Sequence, residues 1–209
     1  MTHLSLMRLN PANRRCRRDM DDPQDMHRSL MSMFPSAPDG SDSPRRHFGV
    51  LWRIEPADSP AVLVQSSQAP DFHKLPSGYA SCQTKPMDEH LASLTEGLAI
   101  AYRVVLNPVK ISRRSDTERR TVIPSGERAA WWTSLAPKMG LRLHGDPVLV
   151  GLHDRRLRRA GTRFPLYSVR VDGAAEIEDP DLLRTALVDG IGRAKAWGCG
   201  LLTVARMKR

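Results

Sequence analysis

Apolar and polar positions alternate weakly at the start of the chain. Over residues 2–9, Leu4, Leu6 and Arg8 fall on one side, and the run stops at Asn10-Pro11, which predicts a strand. Residues 12–21 are polar and arginine-rich and read as a loop. Asp22-Pro23 then supplies a helix cap with proline in the first turn. Met26, Leu30, Met33 and Phe34 follow at helical spacing until Pro35. Residues 35–46, rich in Pro, Ser, Asp and Gly, read as a loop. Strands are predicted over 48–54 and 61–64, across a turn at 55–60, and a short one over 80–86. Pro70, Pro76 and Gly78 leave no obvious room for a long second helix before it.

The second half repeats the rhythm. Residues 98–106 form a strong strand closed by Asn107-Pro108, and a basic loop runs over 110–121. Pro124-Ser125 opens a helix whose apolar face is Trp131, Trp132, Leu135 and Met139, ending at Gly140. Strands over 148–152 and 166–171 flank a loop with five arginines. Asp179-Pro180 caps another helix with Leu182, Leu183, Ala186 and Leu187 inward, and a last strand covers 201–205. Each half therefore reads strand, helix, strand, strand, (helix), strand, and only the second half shows both helices. That order predicts an α+β fold of two tandem ferredoxin-like (RRM-like) domains with antiparallel sheets. The division falls at 1–91 and 92–209, with the join near 88–97.

Charge makes the halves unequal. The 209 residues carry a formal net charge of +9. Residues 1–91 hold 11 basic and 11 acidic side chains, whereas residues 92–209 hold 21 and 12 and so carry the whole excess. A one-sided excess of this kind favours a polyanionic partner gripped by the second half. No apolar run reaches the roughly 20 residues of a spanning helix, and the first residues lack the pattern of a signal peptide. Cys16, Cys82 and Cys199 are odd in number and far apart, which argues against a disulfide framework and for a reducing, cytoplasmic setting.

Between the last helix and strand lies Gly190-Ile191-Gly192-Arg193-Ala194-Lys195-Ala196-Trp197-Gly198-Cys199-Gly200. Gly190, Gly192, Gly198 and Gly200 let a backbone come close to a phosphate, and Arg193 and Lys195 add charge. The plainer reading is a bare turn; no Walker Gly-Lys-Ser/Thr closes it. Two basic loops accompany it: Lys110, Arg113, Arg114, Arg119 and Arg120, and Arg155, Arg156, Arg158 and Arg159. Few aromatics are interleaved, so grip through phosphate charge and shape is expected to outweigh base stacking. The histidines show no ligand spacing, and neither HExxH nor CxxC occurs, so no metal site and no cofactor are expected.

The glycine-rich stretch resembles the C-terminal loop of the CasE proteins, the crRNA-processing endoribonucleases of subtype I-E CRISPR systems within the RAMP superfamily. Asp25-Met26-His27-Arg28-Ser29-Leu30-Met31-Ser32-Met33-Phe34-Pro35 resembles that family's first-helix motif. Val62-Leu63-Val64-Gln65-Ser66 and Tyr102-Arg103-Val104-Val105-Leu106-Asn107-Pro108-Val109-Lys110 resemble further segments in the same order. The resemblance implies that His27 is catalytic. Helical geometry places it about 100° round from Met26, on the flank of the buried stripe, where an imidazole can exchange protons with a ligand. It also implies metal-independent cleavage of CRISPR precursor RNA at the base of the repeat hairpin by 2′-OH attack. The expected ends are 2′,3′-cyclic phosphate and 5′-OH. The 155–159 loop would enter the hairpin's major groove, and the crRNA product would stay bound while the chain, monomeric when free, joins the other Cascade subunits. A tyrosine found in some members three residues before the histidine is here Gln24, and a basic residue five after it is Ser32. Arg14, Arg15, Arg17 and Arg18 are candidates to supply the missing charge, Arg14 and Arg15 also as RNA contacts. The alternative reading is a non-catalytic RNA-binding subunit of the same fold.

Overall fold

The computed structural model describes residues 1–36, 38, 43–55, 60–114, 117–152, 155–159 and 162–207. Of these, residues 112–114, 117–119, 155, 156, 158, 159, 162 and 163 are described in backbone only. The first half contains β1 (His3–Leu9), α1 (Arg14–Asp21), α2 (Pro23–Met31), a short α3 (Pro44–His47), β2 (Leu51–Glu55), β3 (Ala61–Ser66) and β4 (Ala80–Pro86). Its strands form one antiparallel sheet in the order β2-β3-β1-β4. After the short helix α4 (Asp88–Ala92), the second half contains β5 (Ala99–Leu106), the hairpin of β6 (Val109–Arg114) and β7 (Thr117–Val122), and α5 (Arg128–Leu135). Next come β8 (Leu141–Gly151), the hairpin of β9 (Arg155–Arg159) and β10 (Thr162–Leu166), β11 (Val169–Ile177), α6 (Pro180–Asp189) and β12 (Thr203–Arg206). The second sheet runs β12-β5-β11-β8. Numbering the four sheet strands of each half one to four, both sheets have the order four-one-three-two, the ferredoxin-like arrangement. In the first half a 3-10 turn, Phe72–Lys74, stands where the second helix would be.

Several segments expected as loops are ordered elements. Residues 14–21 form α1 because Asn13 caps it, accepting hydrogen bonds from the N–H groups of Arg15 and Cys16. The helix gives no apolar signal because the side chains it buries are Cys16 and Asp19. The Asp19 carboxylate is fully buried. It accepts hydrogen bonds from Ser29 of α2 and from Tyr79 Oη at 2.9 Å. A polar clamp, not an apolar stripe, thus seats α1 on α2. Burial, and after it the carboxylate of Asp19, pushes the Tyr79 phenol pKa upward. Both basic loops are hairpins, and Pro44–His47 is helical.

Strand β1 is buried on one face and half-buried on the other. Ser5, Met7 and Leu9 lie under the helices, with Val62 and Val64 of β3 opposite. Leu4 and Leu6 lie on the other side, and Leu4 lines a cleft together with Leu187 and Leu202 of the second half. One face of this sheet is covered by helices and the other by the second half, so the alternation is weak. In the second half, Leu183 and Leu187 of α6 are buried but Leu182 is exposed, against the inward position expected for it. Trp132 is core, as expected: its Nε1 donates to Tyr102 Oη at 2.9 Å. Gly140 closes the α5 segment at φ +68°, and a Cβ there would sit 2.0 Å from Asp179 O, so no other residue fits.

The clamp around Asp19 predicts a measurable cost. Asp19→Ala strands the Ser29 and Tyr79 hydroxyls in the core and should lose about 2–4 kcal/mol in denaturant unfolding. Tyr79→Phe should lose only about 1 kcal/mol. Equal losses in the two variants would contradict a carboxylate-centred clamp.

Candidate active site

The helix that carries His27 is fixed at its start. Asp22 caps α2 by accepting from Gln24 N–H at 2.8 Å, and Pro23 occupies the first turn. Met26, Leu30 and Met33 are buried, and His27 is half-buried beside them. The other side of α2 lies against the 3-10 turn Lys195–Trp197 of the glycine loop and against β9. His27 Nδ1 is enclosed without a hydrogen-bond partner among the described residues. Burial, and after it the positive charge of Arg45, lowers the His27 pKa to about 4. At neutral pH the ring is therefore uncharged and able to accept a proton.

The surrounding charge is positive. Arg45 belongs to α3, and its Nη1 lies 3.5 Å from Val50 O. Lys195 comes from the glycine loop, and its Nζ donates to Asp189 O at 2.8 Å. Burial lowers the Lys195 pKa, and the charges of Arg45 and Arg46 push the same way, against Asp189. Three segments distant in sequence thus bring His27, Arg45 and Lys195 into one electrostatic neighbourhood. Arg45 and Arg46 escape a sequence reading because they sit in a stretch rich in helix breakers. The one available signal is Ser43-Pro44, a cap-and-proline start, ahead of two arginines.

Arg15, Arg17 and Arg18 of α1 are committed elsewhere. Arg15 donates to Ser29 Oγ at 3.1 and 3.3 Å and lies 3.8 Å from Asp19. Arg17 binds the Pro11 and Ala12 carbonyls, and Arg18 pairs with Asp19 and Asp25. Arg14 is exposed. Of the two basic hairpins, Lys110 faces Glu127 at 3.5 Å and Arg120 is exposed. The side chains of Arg113, Arg114, Arg119, Arg155, Arg156, Arg158 and Arg159 lie outside the described residues.

The glycine loop is held by close packing against the first half. A Cβ at Gly190 would lie 2.7 Å from Leu51, one at Gly198 3.0 Å from the Trp52 ring, and one at Gly200 2.6 Å from Ile191 O. Gly190 and Gly198 let the loop close on β2, and Gly200 lets the loop fold back on its own Ile191. Gly192, where an added Cβ meets only Leu106 at 3.8 Å, keeps an open approach of the kind a phosphate needs. Arg193 is exposed. Ala194 takes a left-handed conformation at φ +62°, the sole non-glycine to do so among the described residues. It turns the chain so that Trp197 N–H donates back to Ala194 O at 2.8 Å. Trp197 then packs at a tilt on Phe164 of β10, ring centres 5.3 Å apart. Between α2, β2 and this loop opens a cavity of about 200 Å³. Among the described residues no three His, Cys, Asp or Glu side chains converge as a metal site, and no helix is long and apolar enough to cross a membrane.

Comparison with known proteins places this arrangement. Residues 2–206 match the family described as CRISPR associated protein. The chain is 34% identical to the CRISPR-associated endoribonuclease Cse3 of Thermus thermophilus, over 97% of this chain and 99% of that protein. It is 28% identical to the CRISPR system Cascade subunit CasE of Escherichia coli (strain K12), over 86% of this chain and 90% of that one. Among solved structures, Thermus thermophilus Cse3 bound to an RNA representing a pre-cleavage complex superposes with a TM-score of 0.79 at 33% identity, with 98% of each chain covered. On a match spanning nearly every residue, the chain belongs to the family of CRISPR-associated proteins.

Proposed function

We propose that this chain is a metal-independent endoribonuclease that cuts CRISPR precursor RNA at the base of the repeat hairpin. It then holds the crRNA as a Cascade subunit in the cytoplasm, and is a monomer when free. The observation that carries this reading is the setting of His27: a neutral imidazole on α2, against the glycine loop and within the field of Arg45, which also acts on Lys195 of that loop. It is supported by the relatives named Cse3 endoribonuclease and Cascade subunit CasE.

In the proposed reaction neutral His27 takes the proton of a ribose 2′-OH. The oxygen attacks the adjacent phosphorus, the bond to the 5′-oxygen breaks, and that oxygen takes up a proton in exchange for the one His27 removed, from the imidazolium or through water. The products are a 2′,3′-cyclic phosphate and a 5′-OH, so atoms balance without a co-reactant. Arg45 and Lys195 offset the charge that builds on the phosphate oxygens, in the role that Ser32 lacks the charge to fill. The work divides along the chain. Residues 92–209, with the whole net charge, both basic hairpins and the glycine loop, grip the RNA; residues 1–91 present His27.

His27→Ala should lower single-turnover cleavage of repeat RNA by about 10²–10⁴-fold, with affinity little changed, and wild type should cut fully in EDTA. Silence of the wild type in chelator, or normal cutting by the variant, would defeat the proposal. The pH profile offers a second check. A His27 pKa of about 4 in the free protein places the acid limb of kcat/KM near that pH, well below the roughly 6.5 of an ordinary imidazole. Arg45→Gln removes a cation that disfavours the imidazolium, so this limb should move to higher pH while the plateau falls about tenfold or more. An unmoved limb would show that Arg45 does not act on His27.

A further inference from the structure

The cavity between the two halves has a lining that the proposed chemistry does not use. Its walls are mostly apolar: Pro23 at the start of the His27 helix, Ile54 of β2, Leu152 after β8, Leu166 of β10 and Trp197 of the glycine loop. At about 200 Å³ it falls below the roughly 300–1,000 Å³ of cavities that take drug-sized ligands. One planar heterocycle fits that space better than a peptide helix does.

Two guanidinium groups line the cavity, and they differ in kind. Arg53 has no donor to spare: its five N–H groups go to Glu55, Thr203 and the carbonyls of Arg103 and Leu201. Arg170 has a buried Nε that makes no hydrogen bond among the described residues. That nitrogen lies 3.0 Å from Asp172 Oδ2, close enough for an ion pair but not aligned for a hydrogen bond. With its Nε turned to Asp172, Arg170 presents the planar fork of its guanidinium at the wall of an apolar hole, which suits a flat ring with nitrogen and oxygen acceptors on its edge.

The cavity also adjoins the proposed cleavage site. Pro23 lies one helical turn before His27, and Trp197 is two residues from Lys195. The aromatic wall is braced: Trp197 leans on Phe164, and Trp52 Nε1 donates to Ala196 O at 3.3 Å. The strained Ala194 turn sets the position of this wall.

We infer that this cavity receives a single nucleobase, unstacked from the RNA next to the scissile phosphate. The inference rests on the RNA-cleaving reading above. The base lies against Trp197 and the aliphatic walls while Arg170 binds its edge. Seating it turns the neighbouring ribose toward His27, so the cavity fixes where along the strand the cut falls.

The test uses full-length protein and repeat RNA made uncleavable by a 2′-deoxy nucleotide at the attacking position. A base is removed from one nucleotide at a time on either side of the cut. An abasic site at one position should weaken binding about tenfold, the loss of one stacked base. Ser168→Trp and Leu152→Phe each fill the cavity, from different segments. Both should bind intact RNA about tenfold more weakly, and neither should lose anything further when that same base is removed. If every abasic RNA binds as tightly as intact RNA, no base enters; a neighbouring protein as the true occupant gives this same result. If the filled variants lose equally on intact and abasic RNA, the cavity is not where the base goes. Cleavage of unmodified RNA by the wild type is scored separately: cutting without an abasic effect sinks only the cavity, and no binding to any hairpin sinks both readings.

Discussion

Arg53 holds the two halves of the molecule in register. It projects from the middle of β2 in the first sheet and is 2% exposed. It crosses to the second sheet, where it binds the backbone of Arg103 and Leu201 at 2.9 Å each and the Thr203 hydroxyl. Glu55, on the same strand, pairs with Arg53 and with Arg103, and Arg103 forks onto both oxygens of Asp172. A buried guanidinium is costly to desolvate, and it is tolerable here because every donor is satisfied; taking away one partner of such a network costs about 3–5 kcal/mol. The pairing fixes register between β2 and β5 with a directionality that apolar contact would not supply.

The candidate site depends on that register. His27 comes from the first half, while Lys195 and Trp197 come from a loop of the second. The loop reaches α2 because Gly190 and Gly198 let it lie directly on Leu51 and Trp52, the residues just before Arg53 on the same strand. A shift of β2 would move these contacts together, and with them the distance between imidazole and cations. Beneath α2 the Asp19 clamp performs the matching task inside the first half, fixing the helix on α1 and Tyr79. The low His27 pKa follows from the same closeness, since both burial and Arg45 disfavour the charged ring.

Much of this is legible in the residues. The Asp22-Pro23 and Asp179-Pro180 caps, the Met26/Leu30/Met33 stripe and the Asn107-Pro108 stop mark elements that the structure contains, and their order gives the ferredoxin-like topology twice. The misses share a physical cause. Helix α1 buries an aspartate and a cysteine, so hydrophobic periodicity does not see it. The two basic hairpins are paired by backbone hydrogen bonds, which composition does not report. The alternation through Leu4 and Leu6 does not reveal which face of β1 meets the helices, because a sheet covered on both sides has no polar face to give the register away. Arg53 looks like an ordinary strand charge, since nothing local tells that its partners lie 50 and about 150 residues on. Arg45 is invisible as a site residue for the same reason: its closeness to His27 is tertiary.

The central claim is that one half grips the RNA while the other presents the histidine, aligned through Arg53. The most direct measurement compares RNA affinity with single-turnover cleavage in Arg53→Met, whose side chain keeps much of the length but not the donors. The account predicts affinity close to wild type and a cleavage rate down by about a hundredfold, the usual penalty for a misplacement of about 1 Å at a reacting centre. Cleavage at the wild-type rate, or affinity and rate falling together, would contradict it.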